Sequence, residues 1–203
     1  MVLDAYGPLF EEQDLPRPFS ALLPRLSKLR SVTKLMVKIC NWNDWDRFLQ
    51  ETSFIRQITD LVLGYFVEFE SFQSFSKTIR TFPSLEILTY DMSHSSEWND
   101  EELLLESHPA ESCSQLKKVE ICCTLYSIQT KWCQLFWSFL LYIKVRLSTL
   151  YLGTIVIDHG DNNRPMVAAF SRYLQFIGPS LEFLQVEFAT VPSNIGARFI
   201  ILG

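Results

Sequence analysis

Few side chains in this chain can do acid–base chemistry. There are 3 His residues, namely His94, His108 and His159. His94 follows closely on Asp91, and His159 sits between Asp158 and Asp161. A carboxylate beside an imidazole can orient the ring and move its pKa. Asp91, His94, Asp158 and His159 are therefore the candidates for proton transfer, at strand ends where open α/β sheets place their sites. The same residues also suit a plain connection. Asp158-His159-Gly160-Asp161-Asn162-Asn163 has the composition of a turn, without the ligand spacing and closing Glu of a calcium loop. No His stands four residues from another His or from a Cys, the spacing that presents two metal ligands on one helix face. Neither a Gly-x-Ser-x-Gly elbow nor a phosphate-binding glycine loop occurs. The reading assigns no catalytic residue, no cofactor and no metal site, and expects a protein that is not an enzyme.

The thiols lead to the same expectation. The 5 Cys are Cys40, Cys113, Cys122, Cys123 and Cys133. Their spacing fits neither a zinc pattern nor a disulfide framework. Cys122-Cys123 closes a predicted strand, whereas a redox pair calls for Cys-x-x-Cys or a basic neighbourhood. These are read as structural thiols.

Composition narrows the partners. Hydrophobic residues make up 48% and charged residues 20%, the balance of a folded chain. There are 16 Phe against 7 Gly, so folding must bury much aromatic surface. The net charge is -5, and nucleic-acid binding needs a basic face. The densest basic stretch, Arg25, Lys28, Arg30, Lys34 and Lys38, is spread along a mixed segment. No nucleic-acid partner is expected. The apolar run 135–143 is bounded by Lys131, Lys144 and Arg146. It falls short of the ~20 residues a spanning helix needs, so no membrane partner is expected. Residues 1–14 carry Asp4, Glu11, Glu12 and Asp14 and no apolar core, and no Asn-x-Ser/Thr sequon occurs. A reducing compartment, cytoplasm or nucleus, is the expected location.

The elements that would position any site come from a repeat. An apolar residue, two others, an apolar residue, one other and a third apolar residue recur six times. The copies are Val32/Leu35/Val37, Ile58/Leu61/Leu63, Leu85/Leu88/Tyr90, Leu116/Val119/Ile121, Leu147/Leu150/Leu152 and Leu181/Leu184/Val186. Their first positions are separated by 26, 27, 31, 31 and 34 residues. The last two apolar positions lie two apart, so on a strand they share one face. The first leads into the same core. Pro83-Ser84-Leu85-Glu86 returns as Pro179-Ser180-Leu181-Glu182.

Helical spacing fills the gaps. Phe69, Phe72, Phe75, Ile79 and Phe82 fall on one helix face, with Pro83 as the stop. Asp44 can cap a helix with Trp45, Phe48 and Leu49. A third helix carries Trp132, Leu135, Phe136, Phe139, Leu140 and Ile143. A fourth starts at Pro165, presents Val167, Phe170, Leu174 and Ile177, and stops at Gly178. Residues 93–110 are polar and acidic and read as a loop with one short turn at 103–105. Strand and helix alternating in this way predict an α/β fold of about six parallel strands with helices on the other layer, and right-handed crossovers. The expected organisation is an N-terminal extension or cap over 1–24, the repeat array over 25–190, and an irregular C-terminal end over 191–203.

The repeat motif resembles that of the leucine-rich-repeat family. Its irregular units look like those of F-box and leucine-rich-repeat proteins, and Phe82 to Leu88 resembles a phrase of the F-box-like proteins of mushroom-forming fungi. The resemblance covers most of residues 25–190 and implies an irregular leucine-rich-repeat solenoid, with the strands on its concave side and the helices on its convex side. Where that family places Asn or Cys stand Cys40, Phe66, Ser93, Thr124, Ile155 and Ala189. In F-box proteins an N-terminal helical motif docks on a ubiquitin-ligase adaptor while the repeats hold the substrate. Here Leu15-Pro16 is followed by Pro18 and Pro24, which break any helix, and no F-box is read.

The function expected is a non-catalytic protein-binding scaffold, in the family setting the substrate-recognition part of a ubiquitin-ligase receptor with a ligase adaptor subunit as partner. Its concave face would be formed by Lys34, Met36, Lys38, Asp60, Val62, Thr89, Asp91, Lys118, Glu120, Thr149, Tyr151, Gln185 and Glu187. That mixture of charge, Thr and Tyr suits a protein partner. Two other readings stay open on the sequence: a small α/β enzyme using the strand-end loop residues named above, and a truncated repeat fragment with no independent function.

Overall fold

Which way each strand faces is decided by its Leu-type residues, and the sheet follows from them. The computed structural model describes residues 2–3, 31–40, 49, 53–67, 69, 71–91, 113–122, 130–157, 164–190 and 196–202. Its elements are β1 (Val2–Leu3), β2 (Lys34–Cys40), β3 (Asp60–Val67), α1 (Phe72–Arg80), β4 (Ile87–Tyr90), β5 (Lys118–Ile121), α2 (Thr130–Tyr142), β6 (Thr149–Ile157), α3 (Arg164–Ile177), β7 (Phe183–Thr190) and β8 (Gly196–Leu202). Short 3₁₀ turns occupy Ser53–Gln57 and Gly178–Ser180. The strands form one 8-stranded sheet in chain order. β1 to β7 run parallel, and β8 is antiparallel to β7.

The six motif copies all lie on or just before β2 to β7, in register. Leu35, Leu61, Leu88, Val119, Leu150 and Leu184 form one row across the sheet, and Val37, Leu63, Tyr90, Ile121, Leu152 and Val186 form the next. Every one of these twelve side chains is buried, Leu184 being the most accessible at 7%. Slipping one strand by a single residue would turn both its row members to the open side, so the rows themselves hold the register.

A second regularity lies in the backbone. The carbonyl of Thr33 accepts the N–H groups of both Thr59 and Asp60, at 2.8 and 3.1 Å. The carbonyls of Thr59, Glu86, Lys117 and Ser148 each accept two N–H groups from the next copy in the same way. Each acceptor residue directly follows the first apolar position of its motif. Turns of one shape precede these positions: Ile58, Leu85, Leu116 and Leu181 donate their N–H to the carbonyls of Ile55, Phe82, Cys113 and Gly178. The repeat is thus a repeat of chain path as well as of leucines.

The helices pack on the buried side of the sheet. α1 begins at Ser71, whose Oγ accepts the Ser74 N–H at 3.1 Å, satisfying one otherwise unpaired donor of the first turn. It buries Phe72, Phe75, Thr78 and Ile79. α1 and α2 belong to the second and fourth copies, yet they touch directly through large rings. Phe72 lies 6.1 Å from Trp132 and 6.0 Å from Phe139, and Phe75 lies 5.4 Å from Trp132. Tyr90, the one aromatic in the two inner rows, stacks on Phe75 at 5.3 Å. The rings continue through Trp137 to Tyr173 at 5.8 Å, so the Phe-rich composition becomes one connected core.

Chain reversal after α2 takes an unusual residue. The Val145 and Lys144 N–H groups donate to the Leu140 and Leu141 carbonyls, closing the helix in the Schellman manner with buried Val145 behind it. Lys144 holds φ 55°, a left-handed conformation that costs a non-Gly residue ~1 kcal/mol.

Several expectations need correction. Val167, expected on the core face of its helix, is 48% exposed. The stripe of α3 instead runs Met166, Phe170, Tyr173 and Ile177, in steps of four, three and four that leave position 167 outside. α3 does end before Gly178, but no described Gly has positive φ; the helix tightens into the 3₁₀ turn Gly178–Ser180 instead. The C-terminal stretch read as irregular contains β8, which pairs antiparallel along β7. At the other end Val2–Leu3 pairs with β2 and adds a short seventh parallel strand. Of the helix expected around 45–49, only Leu49 is described; it is helical and buried. The acidic stretch 93–110 lies outside the described residues.

Candidate functional site

Alternation that buries the two inner rows turns the residues between them to the opposite face, which the helices leave open. In register, one open row is Lys34, Asp60, Ile87, Lys118, Thr149 and Phe183, and the next is Met36, Val62, Thr89, Glu120, Tyr151 and Gln185. The expected face residues are therefore brought together, from β2 to β7. Lys38 lies on β2 beyond these rows. Asp91 directly follows β4, with its N–H donating to the Leu63 carbonyl at 2.9 Å.

Ion pairs and hydroxyl bonds tie this face together. Lys34 Nζ lies 2.7 Å from Asp60 Oδ2, across β2 and β3. Lys118 Nζ lies 2.7 Å from Glu120 Oε1, along β5. Glu120 Oε2 also accepts the Thr89 hydroxyl at 3.1 Å. Near β7 the Thr154 hydroxyl donates to Glu187 Oε2 at 3.1 Å, and on the rim Lys117 pairs with Glu86 at 3.3 Å. Pairs as exposed as these contribute at most ~1 kcal/mol each to stability. Their larger consequence is geometric: they hold charged ends in fixed places on a half-exposed surface.

Gln185 departs from the expectation. It is only 3% exposed, flanked in register by Tyr151 and Ile200, and its Nε2 has no hydrogen-bond partner. At that exposure it belongs to the packing of the face and not to its accessible part.

Sequence reasoning missed Ile87, Phe183 and Thr154. The first two continue the alternation backward from Thr89 and Gln185, and extending the period of two by one step finds them. Thr154 is turned to the open face by an irregularity between Leu152 and Thr154, where β6 carries one more residue than β7. Gly153 occupies the extra position, and a Gly inside a strand is the signal for such a bulge.

Of the proton-transfer candidates only Asp91 is described; His94, Asp158 and His159 lie outside the described residues, as does His108. Two thiols can be judged by their surroundings. Burial pushes Cys113 up to about 12, and its Sγ donates to the Ile79 carbonyl at 3.4 Å. Cys122 is raised by burial, then by the charges of Glu120 and Asp91. Both are held as neutral thiols, the reverse of what a nucleophilic cysteine needs. Among the described residues no group of three or more His, Cys, Asp and Glu gathers as a metal site, and no helix is long and apolar enough to cross a membrane.

The protein is thus of the α/β class, with a largely parallel sheet that has one face under helices and one face open. No family model, no curated protein and no solved structure matches the chain.

Proposed function

We propose that this chain is a non-catalytic protein-binding scaffold, an irregular leucine-rich-repeat solenoid that holds its partner on the open face of the sheet. One observation carries the reading: six parallel strands in chain order bury one set of alternate residues and leave the other set, Gln185 apart, half-exposed or exposed in ordered rows. Met36, Val62, Ile87 and Tyr151 supply apolar and aromatic contact within a frame of fixed charges, the mixture found where proteins meet proteins. In the setting that the family resemblance implies, the same face would hold a substrate for a ubiquitin ligase.

The test is affinity capture from the native cells with three chains: the natural one, a Val62→Lys/Tyr151→Lys variant on the open face, and an Arg172→Glu variant on exposed α3. A protein retained by the natural and Arg172→Glu chains and lost by the double variant, with all three folded by circular dichroism, is the expected result. Recovery of the same proteins by all three overturns the reading. The ligase setting is tested separately by mixing the chain with a purified ligase adaptor subunit, where no recovery removes that part.

A further inference from the structure

Charge is divided unevenly between the two layers of the fold. The chain has 23 Asp and Glu against 18 Lys and Arg. Yet every charged residue on α1, α2, α3 and the turn 143–148 is a Lys or an Arg. On the sheet side the lysines of the rows and rim are matched: Lys34 pairs with Asp60, Lys117 with Glu86 and Lys118 with Glu120. On the helix side some cations are not. Among the described residues no carboxylate pairs with Lys144, Arg146 or Arg172, and all of them are exposed.

These cations gather around one ring. The Arg146 guanidinium lies 5.2 Å from the centre of the Phe176 ring. Arg172 stands one turn before Phe176 on the same face of α3. Lys144 sits beside Arg146 in the turn that follows α2, separated from it by Val145. Phe176 is itself only partly buried. The dipole of α2 favours a positive charge just past its end. That accounts for Lys144, but not for Arg172 well inside a helix, nor for Arg146 laid over a ring of α3. Lys144 also holds its place at φ 55°, where a Gly would be unstrained.

We propose that this corner of the helix layer docks an acidic peptide segment of a partner protein, its carboxylates meeting Arg146, Arg172 and Lys144 and an apolar side chain covering Phe176. A guanidinium fork binds a carboxylate through two hydrogen bonds at once, and clusters of Arg are a recurring means of reading acidic motifs. The half-buried ring between the cations supplies the apolar contact. Longer polyanions fit less well. A nucleic acid carries many more phosphates than this corner can neutralise, and a chain of net charge -5 repels it. An anionic membrane calls for a cluster of about 4–8 Lys or Arg. The corner lies on the layer opposite the open rows, so it takes its partner whether or not the open face takes one.

The experiment is titration of the full chain into a short fluorescent peptide of Glu, Asp, Leu and Phe, followed by anisotropy. The natural chain is expected to bind the peptide, and less tightly as salt is added. Arg146→Glu/Arg172→Glu should weaken binding by about tenfold or more. Arg56→Glu makes the same kind of reversal on the turn Ser53–Gln57, before β3 and away from β6 in the sheet. It should change binding by less than about twofold, because salt screens a charge at that separation. Lys144→Gln removes one exposed charge and keeps the test independent of any misfolding by the double variant; a loss of about threefold is expected. A natural chain that does not bind, a loss at Arg56→Glu equal to that of the double variant, no change at Lys144→Gln, or tighter binding of a single-stranded oligonucleotide or of phosphatidylserine vesicles than of the peptide each overturns the proposal.

Discussion

The same six strands build both faces of the sheet, and the two faces obey different rules. On the helix side the twelve row positions use only Leu, Val, Ile and one Tyr, and all are buried. On the open side the matching positions use Lys, Asp, Ile, Thr, Phe, Met, Val, Glu, Tyr and Gln. Close packing restricts the first set, because a cavity or an overfilled site costs stability on either side of the right volume. Solvent and cross-strand pairing restrict the second far less. The buried face is where the chain specifies its fold, and the open face is where its residues are free to vary.

The sharpest way to break that comparison is to remove one ring from the buried side. Phe75 is fully buried and meets Phe69, Tyr90, Trp132 and Phe136 within 6.0 Å. Phe75→Ala should cost about 3–5 kcal/mol, because the rings on α2 and β4 cannot all close over the void. Urea unfolding would read this as a lower midpoint at nearly unchanged slope. A loss below about 1 kcal/mol would mean that the aromatic core is not close-packed.

A smaller effect comes from the thiol under the turn that leads into β5. Cys113 is buried and its pKa lies at about 12, against 9.0 in an open chain. As pH rises past 9.0 the unfolded chain gives up this proton before the folded one does. Its contribution is therefore complete below that pH and is lost on the way to about 12, at about 1.4 kcal/mol per unit. Tyr173, raised by burial and donating its hydroxyl to the Val145 carbonyl at 3.0 Å, pulls in the same direction above its ordinary 10.0. Stability measured in urea at increasing pH should fall steeply, and Cys113→Ala should remove the earliest part of the fall. A variant with the natural slope would show that this thiol does not set it.

What could be read from the residues was whatever a fixed spacing controls. The twelve inner-row positions follow from an alternation of two within a repeat, and both rows came out in register because each strand repeats the same offset. Helix faces were less legible. In α3 a Met and a Tyr, Met166 and Tyr173, pack inward while Val167 faces out; hydrophobicity alone ranks Val167 as high as Met166, and only the starting angle of the helix separates them. In α2 both Trp132 and Trp137 are buried, on faces that a single stripe does not join. That helix is apolar nearly all round because it packs on the sheet beneath and on a helix at each side. β8 could not be found from the repeat, since it runs antiparallel and obeys none of the repeat's spacing. The open face was legible through the same alternation, apart from Gln185, which is buried, and Thr154, which a bulge turns outward.

The smallest effect belongs to the open face, and it bears most directly on whether the two faces differ as argued. Glu120 pairs with Lys118 and accepts the Thr89 hydroxyl, and its side chain is 29% exposed. Glu120→Gln keeps an oxygen to accept that hydroxyl and nearly the same volume, so it removes the charge alone. Solvent screens such a pair, and ordering two long side chains offsets much of the attraction. The variant should change stability by roughly 0.5 kcal/mol or less, and the difference should shrink as salt is added. A loss comparable to that of Phe75→Ala would place the open face under the same packing constraint as the buried one. A negligible loss of stability accompanied by weaker capture of a partner would instead locate in these charges the freedom that the buried rows lack.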